Sequence, residues 1–236
     1  MSARMMTAPA TALLFLLAST IVETTRLASL PLVKSTEQLR SGDQVSESME
    51  RPQRQLLGSK KRIMVDAGHG GRKPGAVANG FVEKELNLET AELVREYLEA
   101  RDFTVLMIRT DDEHVDVKDR AKMANEEEVD LFVSIHYNAQ VPEAHGSLVL
   151  VDPSVEEGDL AEVCATAVLT QLGEKTKIKT GEVRSQVLAV LKRTRMAAIL
   201  VEAGFLTSPI DSELLRDDET IDAIAKAIAA GVDECL

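Results

Sequence analysis

The chain is defined first by what it does not contain. It has no Cys-x-x-Cys pair and only two cysteines, Cys164 and Cys235, which excludes a cysteine-based zinc ribbon and a disulfide framework. Both cysteines fall in expected helices, where they are either buried free thiols or a single bridge. Lys and Arg are outnumbered 27 to 39 by Asp and Glu, for a net charge of -12, and no basic cluster stands out. That balance excludes nucleic acid and an anionic membrane surface as main partners, because tracking phosphates requires grouped cations. No internal repeat is visible. A glycine-rich stretch at Gly68, Gly70 and Gly71 lacks the Gly-x-Gly-x-x-Gly spacing of a dinucleotide cradle.

No apolar run reaches the length of about 20 residues that a membrane span needs. The longest, from Ala12 to Val22, follows a stretch whose one charge is Arg4. Residues 1–22 are therefore expected to be a signal peptide or an uncleaved N-terminal anchor, with an organelle targeting peptide as a further alternative. Residues 23–59 are polar and aperiodic, and read as a flexible linker. The remainder, 60–236, is expected to be one catalytic domain.

Within it three apolar runs stop abruptly at ionisable residues. Ile63-Met64-Val65 leads to His69 among glycines, Leu131-Phe132-Val133-Ser134-Ile135 leads to His136, and Ala198-Ile199-Leu200-Val201 leads to Glu202. Such runs are buried strands of an α/β sheet, and α/β sheets place their sites at strand carboxyl ends. Helical stripes are expected over 85–101, 115–127, 159–172 and 221–232, and further strands over 103–108, 146–151 and 187–191. This alternation predicts a single layered α/β domain with a mostly parallel central sheet of about six strands flanked by helices.

A hydrolytic zinc site commonly uses two neutral imidazoles and one carboxylate, with one position left open. His69 and His136 are the candidate imidazoles. Glu83 is the leading third ligand and Glu85 the spare, since Glu85 also suits a helix N-terminus. Glu202, a carboxylate at a buried strand end, is a candidate general base and proton donor, the other reading being a salt bridge. Ser134 and Asn138 flank His136 as hydrogen-bonding supports for a ligand imidazole. His114, in the acidic stretch Asp111 to Asp116, and His145 are expected to be surface residues.

Asp66-Ala67-Gly68-His69-Gly70-Gly71, Pro74-Gly75-Ala76, Glu83-Lys84-Glu85-Leu86-Asn87-Leu88, Arg109-Thr110, Arg120, Ala124-Asn125, Ser134-Ile135-His136-Tyr137-Asn138-Ala139 and Val201-Glu202-Ala203-Gly204-Phe205-Leu206 together resemble the zinc-dependent N-acetylmuramoyl-L-alanine amidase family 3. The resemblance covers about residues 61–236. It implies one zinc ion held by His69, Glu83 and His136, with Glu202 as acid/base, and hydrolysis of the amide between N-acetylmuramic acid and L-alanine in peptidoglycan. It places Arg120 with Ser134 and Asn138 among the groups supporting the site or contacting substrate. It also implies export to the periplasm, the cell envelope or the extracellular space, and, with no wall-binding repeat visible, help from an activator or wall-targeting protein. The membrane is a partner only if the leader stays uncleaved. A zinc peptidase acting on free peptides would share all four residues, and an inactive peptidoglycan-binding domain would be free to lose one. Lys73, Ala197 and Ser208 depart from the family's usual acidic residue, proline and asparagine. The short segment between His136 and Gly146 leaves no room for the autoinhibitory helix some relatives insert there.

Overall fold

The computed structural model describes residues 59–236. The expected leader (1–22) and all but the last residue of the expected linker (23–59) lie outside them. Six strands form the main sheet: β1 (Arg62–Ala67), β4 (Thr104–Met107), β5 (Leu131–Asn138), β6 (Ser147–Val151), β7 (Thr180–Ser185) and β8 (Ala197–Phe205). A two-stranded hairpin, β2 (Val77–Ala78) and β3 (Phe81–Val82), leads into α1 (Glu83–Glu99). The other helices are α2 (Val117–Glu126), α3 (Leu160–Lys175), α4 (Ala189–Arg193), α5 (Pro209–Leu214) and α6 (Asp218–Cys235).

The sheet order is β4-β1-β5-β8-β6-β7. The first four strands are parallel, β6 runs antiparallel to β8, and β7 is parallel to β6. The expected mostly parallel sheet is present, and the central strands are buried on both faces as such sheets require.

Strand alternation divides the core in two. Ile63, Val65, Leu131, Val133, Ile135, Ile199 and Val201 point to one face, where α1, α3 and α6 cover them. Met64, Phe132, Ala198 and Leu200 point to the other, packed with Ala124 of α2 and with Val190 and Leu191 of α4. That second face is thinly covered, because α4 spans barely more than a turn. On it the same alternation sets Asp66, Ser134, His136 and Glu202.

One expectation is corrected and one open alternative is decided. The run Val187 to Leu191 does not form a strand; its second half is α4, which buries Val190 and Leu191. Short apolar runs carry no period that separates strand from helix. The strand there is β7, Thr-Gly-Glu-Val-Arg-Ser, an edge strand almost wholly exposed and so without an apolar pattern. The cysteines are not free thiols: Cys164 of α3 and Cys235 of α6 form a disulfide, with Cα atoms 5.1 Å apart. The backbones come that close because α6 presents Gly231 to α3, where a Cβ would lie 2.4 Å from Val168 Cα. Between β5 and β6 the described chain forms turns and no helix.

Candidate metal centre

The site stands where β1, β5 and β8 end. After Ala67 the chain turns through His69, Gly70 and Gly71, all at positive φ. Gly68 passes directly against the ring of His136: a Cβ on it would lie 2.3 Å from the imidazole. Only glycine permits that approach, and its amide donates to the Ile135 carbonyl at 3.0 Å, tying the loop to β5. His136 sits beside Glu202 in the β5–β8 register.

Glu83 opens α1, where the helix N-terminus favours a carboxylate. Its Oε1 lies 3.0 Å from His69 Nε2 and 2.8 Å from His136 Nδ1. Its Oε2 accepts the Ala76 amide at 2.8 Å. Burial alone would raise the Glu83 carboxyl, but hydrogen bonds with His136 and His69, the charge of His136 and the Ala76 amide outweigh it and hold it far below the usual range. His136 is held above the usual histidine range: burial opposes its charge, but Glu83, Glu202 and Asp66 together overcome that. The two rings stand edge to face with centroids 4.9 Å apart. One ligand atom from each of His69, Glu83 and His136 lies within 4.8 Å of the others. Glu85, the spare, is exposed on the outer side of α1.

Glu202 faces this cluster. Burial pushes its carboxyl up to about 7, against the favourable charge of His136 and with the charge of Glu83. Its Oε2 is buried and has no hydrogen-bond partner. No arginine or lysine pairs with it among the described residues, so the salt-bridge reading is not realised there. The orphaned oxygen and the imidazole–carboxylate–imidazole donor set both fit a metal ion with reactant space beside it.

The supporting shell is built from buried charge. Ser134 Oγ donates to Asp66 Oδ2 at 2.8 Å, and Arg120 pairs with the other Asp66 oxygen. Arg120 also donates to the carbonyls of Ala67, at 2.8 Å, and His69. Ser134 and Arg120 thus act on the β1 loop through Asp66 and the backbone. The Asn138 side chain accepts from the Ala139 amide, at the turn leaving β5. Sequence reasoning assigned no role to Arg109 or Asn87. Arg109 is 2% exposed and donates to the carbonyls of Ala67, Gly68 and Lys84 at 2.9, 2.9 and 2.7 Å. Asn87 Nδ2 reaches the Gly68 carbonyl at 3.1 Å. The signal for Arg109 was its position at the end of a strand that adjoins β1. Its carbonyl partners, set by loop conformation, leave no mark in sequence.

His114 is also corrected. Its side chain is only 20% exposed and lines, with His69 and His136, a cavity of about 400 Å³ beside the cluster. Its Nε2 pairs with Asp116 at 3.2 Å. Lys73 stands on the same rim, Ala197 begins β8, and Ser208 caps α5 by accepting from the Asp211 amide.

A mostly parallel sheet, two imidazoles and a carboxylate that could hold a metal ion at its carboxyl end, and a lone carboxyl opposite are the arrangement expected of a metal-dependent hydrolase. The particular family follows from comparison: the family profile described as N-acetylmuramoyl-L-alanine amidase matches residues 63–234. The chain belongs to that family, enzymes that hydrolyse the amide between N-acetylmuramic acid and L-alanine in peptidoglycan. It is 31% identical to N-acetylmuramoyl-L-alanine amidase LytC of Bacillus subtilis over 72% of its own length and 34% of LytC, so it spans about a third of that relative. The crystal structure of N-acetylmuramoyl-L-alanine amidase from Clostridium difficile 630 superposes with a TM-score of 0.70 at 31% identity, covering 73% of this chain and 95% of that one. The CwlD amidase of Clostridioides difficile, solved in complex with the GerS lipoprotein, gives a TM-score of 0.70 at 26% identity, covering 75% and 98%.

Proposed function

We propose that the chain is a zinc-dependent peptidoglycan amidase that uses one zinc ion, held by His69, Glu83 and His136, and Glu202 as its proton carrier. The observation that carries this reading is the convergence of the three ligand atoms within 4.8 Å beside a buried carboxyl oxygen that has no partner. Bound there, zinc would supply Lewis acidity to the scissile carbonyl and lower the pKa of the attacking water.

The chain's own groups do the rest. His69 and His136 would hold the ion through ring nitrogens, His136 giving up its proton to do so, and Glu83, ionised throughout the working range, would offset the positive charge of the centre. Glu202 at about 7 is poised to accept the proton of the attacking water and return it to the leaving L-alanine nitrogen, since a general base works best near ambient pH. Arg120, through Asp66 and the His69 carbonyl, keeps the β1 loop in place as charge shifts.

Export is part of the proposal. A wall polymer lies outside the cytoplasm, residues 1–22 have the composition of an export signal or anchor, and a disulfide between Cys164 and Cys235 suits an oxidising compartment. We assign the enzyme to the periplasm or cell envelope, with 23–59 as a linker and 60–236 as the catalytic domain. No helix among the described residues is long and apolar enough to cross a membrane. The complex of CwlD with a lipoprotein favours an activator or wall-targeting partner here as well.

The test is a digest of purified peptidoglycan by the full chain, with and without a chelator and beside Glu202→Gln, read by mass. Stem peptides beginning with L-alanine, lost on chelation, restored by zinc and absent from the variant, are the expected result. Release that survives complete metal removal would sink the zinc reading.

A further inference from the structure

The cavity beside the cluster has a chemistry of its own. One wall is apolar, built from Val115 ahead of α2, Leu188 and Val190 around α4, and Leu200 of β8. The charged groups on its lining are mostly spoken for: Arg120 is paired with Asp66, and Asp116 with His114. Lys73 is the exception. It is exposed, it stands on the rim, and its ammonium makes no ion pair or hydrogen bond among the described residues. Its backbone is fixed all the same, by reciprocal hydrogen bonds with Gly70 at 2.9 and 3.1 Å. A cation on a fixed stretch of backbone therefore stands on the rim of the cavity that His69 also lines, on a molecule whose net charge is -12.

The two sides of the scissile amide differ in what they ask of a pocket. The sugar side is uncharged and rich in hydroxyls, and calls for stacking platforms and polar groups. This cavity has no Phe, Tyr or Trp in its lining, and the chain has no Trp at all. The peptide side offers the L-alanine methyl and then D-glutamate, which is joined onward through its side-chain carboxyl and so keeps its α-carboxyl free or amidated. An apolar wall with one unpaired cation matches a methyl group followed by a carboxylate.

Resting on the amidase reading above, we infer that this cavity takes the stem peptide and that Lys73 selects stems whose second residue carries a free α-carboxylate over those in which it is amidated. A charge-assisted hydrogen bond from the ammonium to that carboxylate is made before and during reaction alike, so it acts on binding. The carboxamide offers a weaker acceptor and no charge.

Two soluble substrates differ in that group alone: N-acetylmuramoyl-L-alanyl-D-glutamate and N-acetylmuramoyl-L-alanyl-D-isoglutamine, each with its side-chain carboxyl capped as the N-methylamide, as the onward peptide bond caps it. The zinc-loaded full chain is expected to favour the carboxylate in kcat/KM by about tenfold, the size of one such bond, with the difference in KM. Lys73→Gln is expected to abolish the preference and Lys73→Glu to invert it. Lys73 is exposed, so neither variant threatens folding. Equal rates on the two substrates, a preference that survives in Lys73→Gln, or cleavage of the polymer with neither dipeptide cleaved would each overturn the inference while leaving the amidase reading intact. If L-alanine-terminated peptides are released from neither polymer nor dipeptides, both readings fall.

Discussion

Glu202 shows how one residue can be costly to the fold because of what it is poised to do. Its carboxyl is raised from 4.5 to about 7 in the folded chain, so the folded state binds this proton more tightly than the unfolded one. Below 4.5 both states are protonated and nothing is lost. As pH rises from 4.5 through 7 the unfolded chain ionises first, and stability falls by about 3 kcal/mol before levelling off. Glu202→Gln removes that penalty. In chelator, urea unfolding should show the variant more stable than wild type by about 3 kcal/mol at pH 8, and equal to it at pH 4. Its activity on peptidoglycan should drop by about 10²–10⁴, the usual contribution of a general base.

Arg109 acts at the same scale through backbone. By donating to Ala67, Gly68 and Lys84 it spans from the His69 loop to the first turn of α1, which carries Glu83. Lysine keeps the charge but cannot reach three carbonyls at once. Arg109→Lys is expected to weaken zinc binding about 10–100-fold in a chelator competition, the range seen when ligand supports are removed. A folded variant with unchanged zinc affinity would show that Arg109 serves the fold alone.

Among the elements, α6 and α3 pack directly against each other, and Gly231 allows it. A methyl there would meet Val168 backbone at 2.4 and 2.5 Å, atoms that no rotamer change can move. Gly231→Ala should lower stability by about 1–3 kcal/mol, the cost of overpacking, as read by denaturant midpoint. The atoms that a Cβ at Gly231 would meet belong to Val168 and Ala167 and to none of the candidate ligands, so zinc affinity of the folded variant should match wild type. The elements also show what a pattern can and cannot carry. β1, β5 and β8 were legible because strands buried on both faces read as continuous apolar runs. β7 was not, because an edge strand with exposed side chains needs no apolar residue. Val190 and Leu191 were legible as buried and illegible as helical, since two apolar residues fit either period.

At the scale of the whole molecule, the Cys164–Cys235 bridge closes a segment with a sequence separation of 71 residues and joins two of the three helices that cover one face of the sheet. Closing a loop of that size in the unfolded chain corresponds to about 4 kcal/mol in the chain-entropy model. Replacing both cysteines with serine is expected to cost several kcal/mol, measured by urea unfolding of oxidised wild type beside the variant. A loss below about 1 kcal/mol would show that packing, not the crosslink, holds α3 to α6.

The amino-acid sequence by itself determined the layered α/β class and which strands end in ionisable groups. These follow from burial and strand period, which every residue in a run reports. Tertiary structure decided the rest. It set Glu83 rather than Glu85 against the two imidazoles, because the α1 start fixes which of two neighbouring carboxylates turns inward. It brought His114 and Lys73 to one cavity with His69 and His136, gave Arg109 its carbonyls, and paired two cysteines far apart in sequence. Each of those is a meeting of side chains or backbone across long loops, where distance in space is set by packing and no local pattern records it.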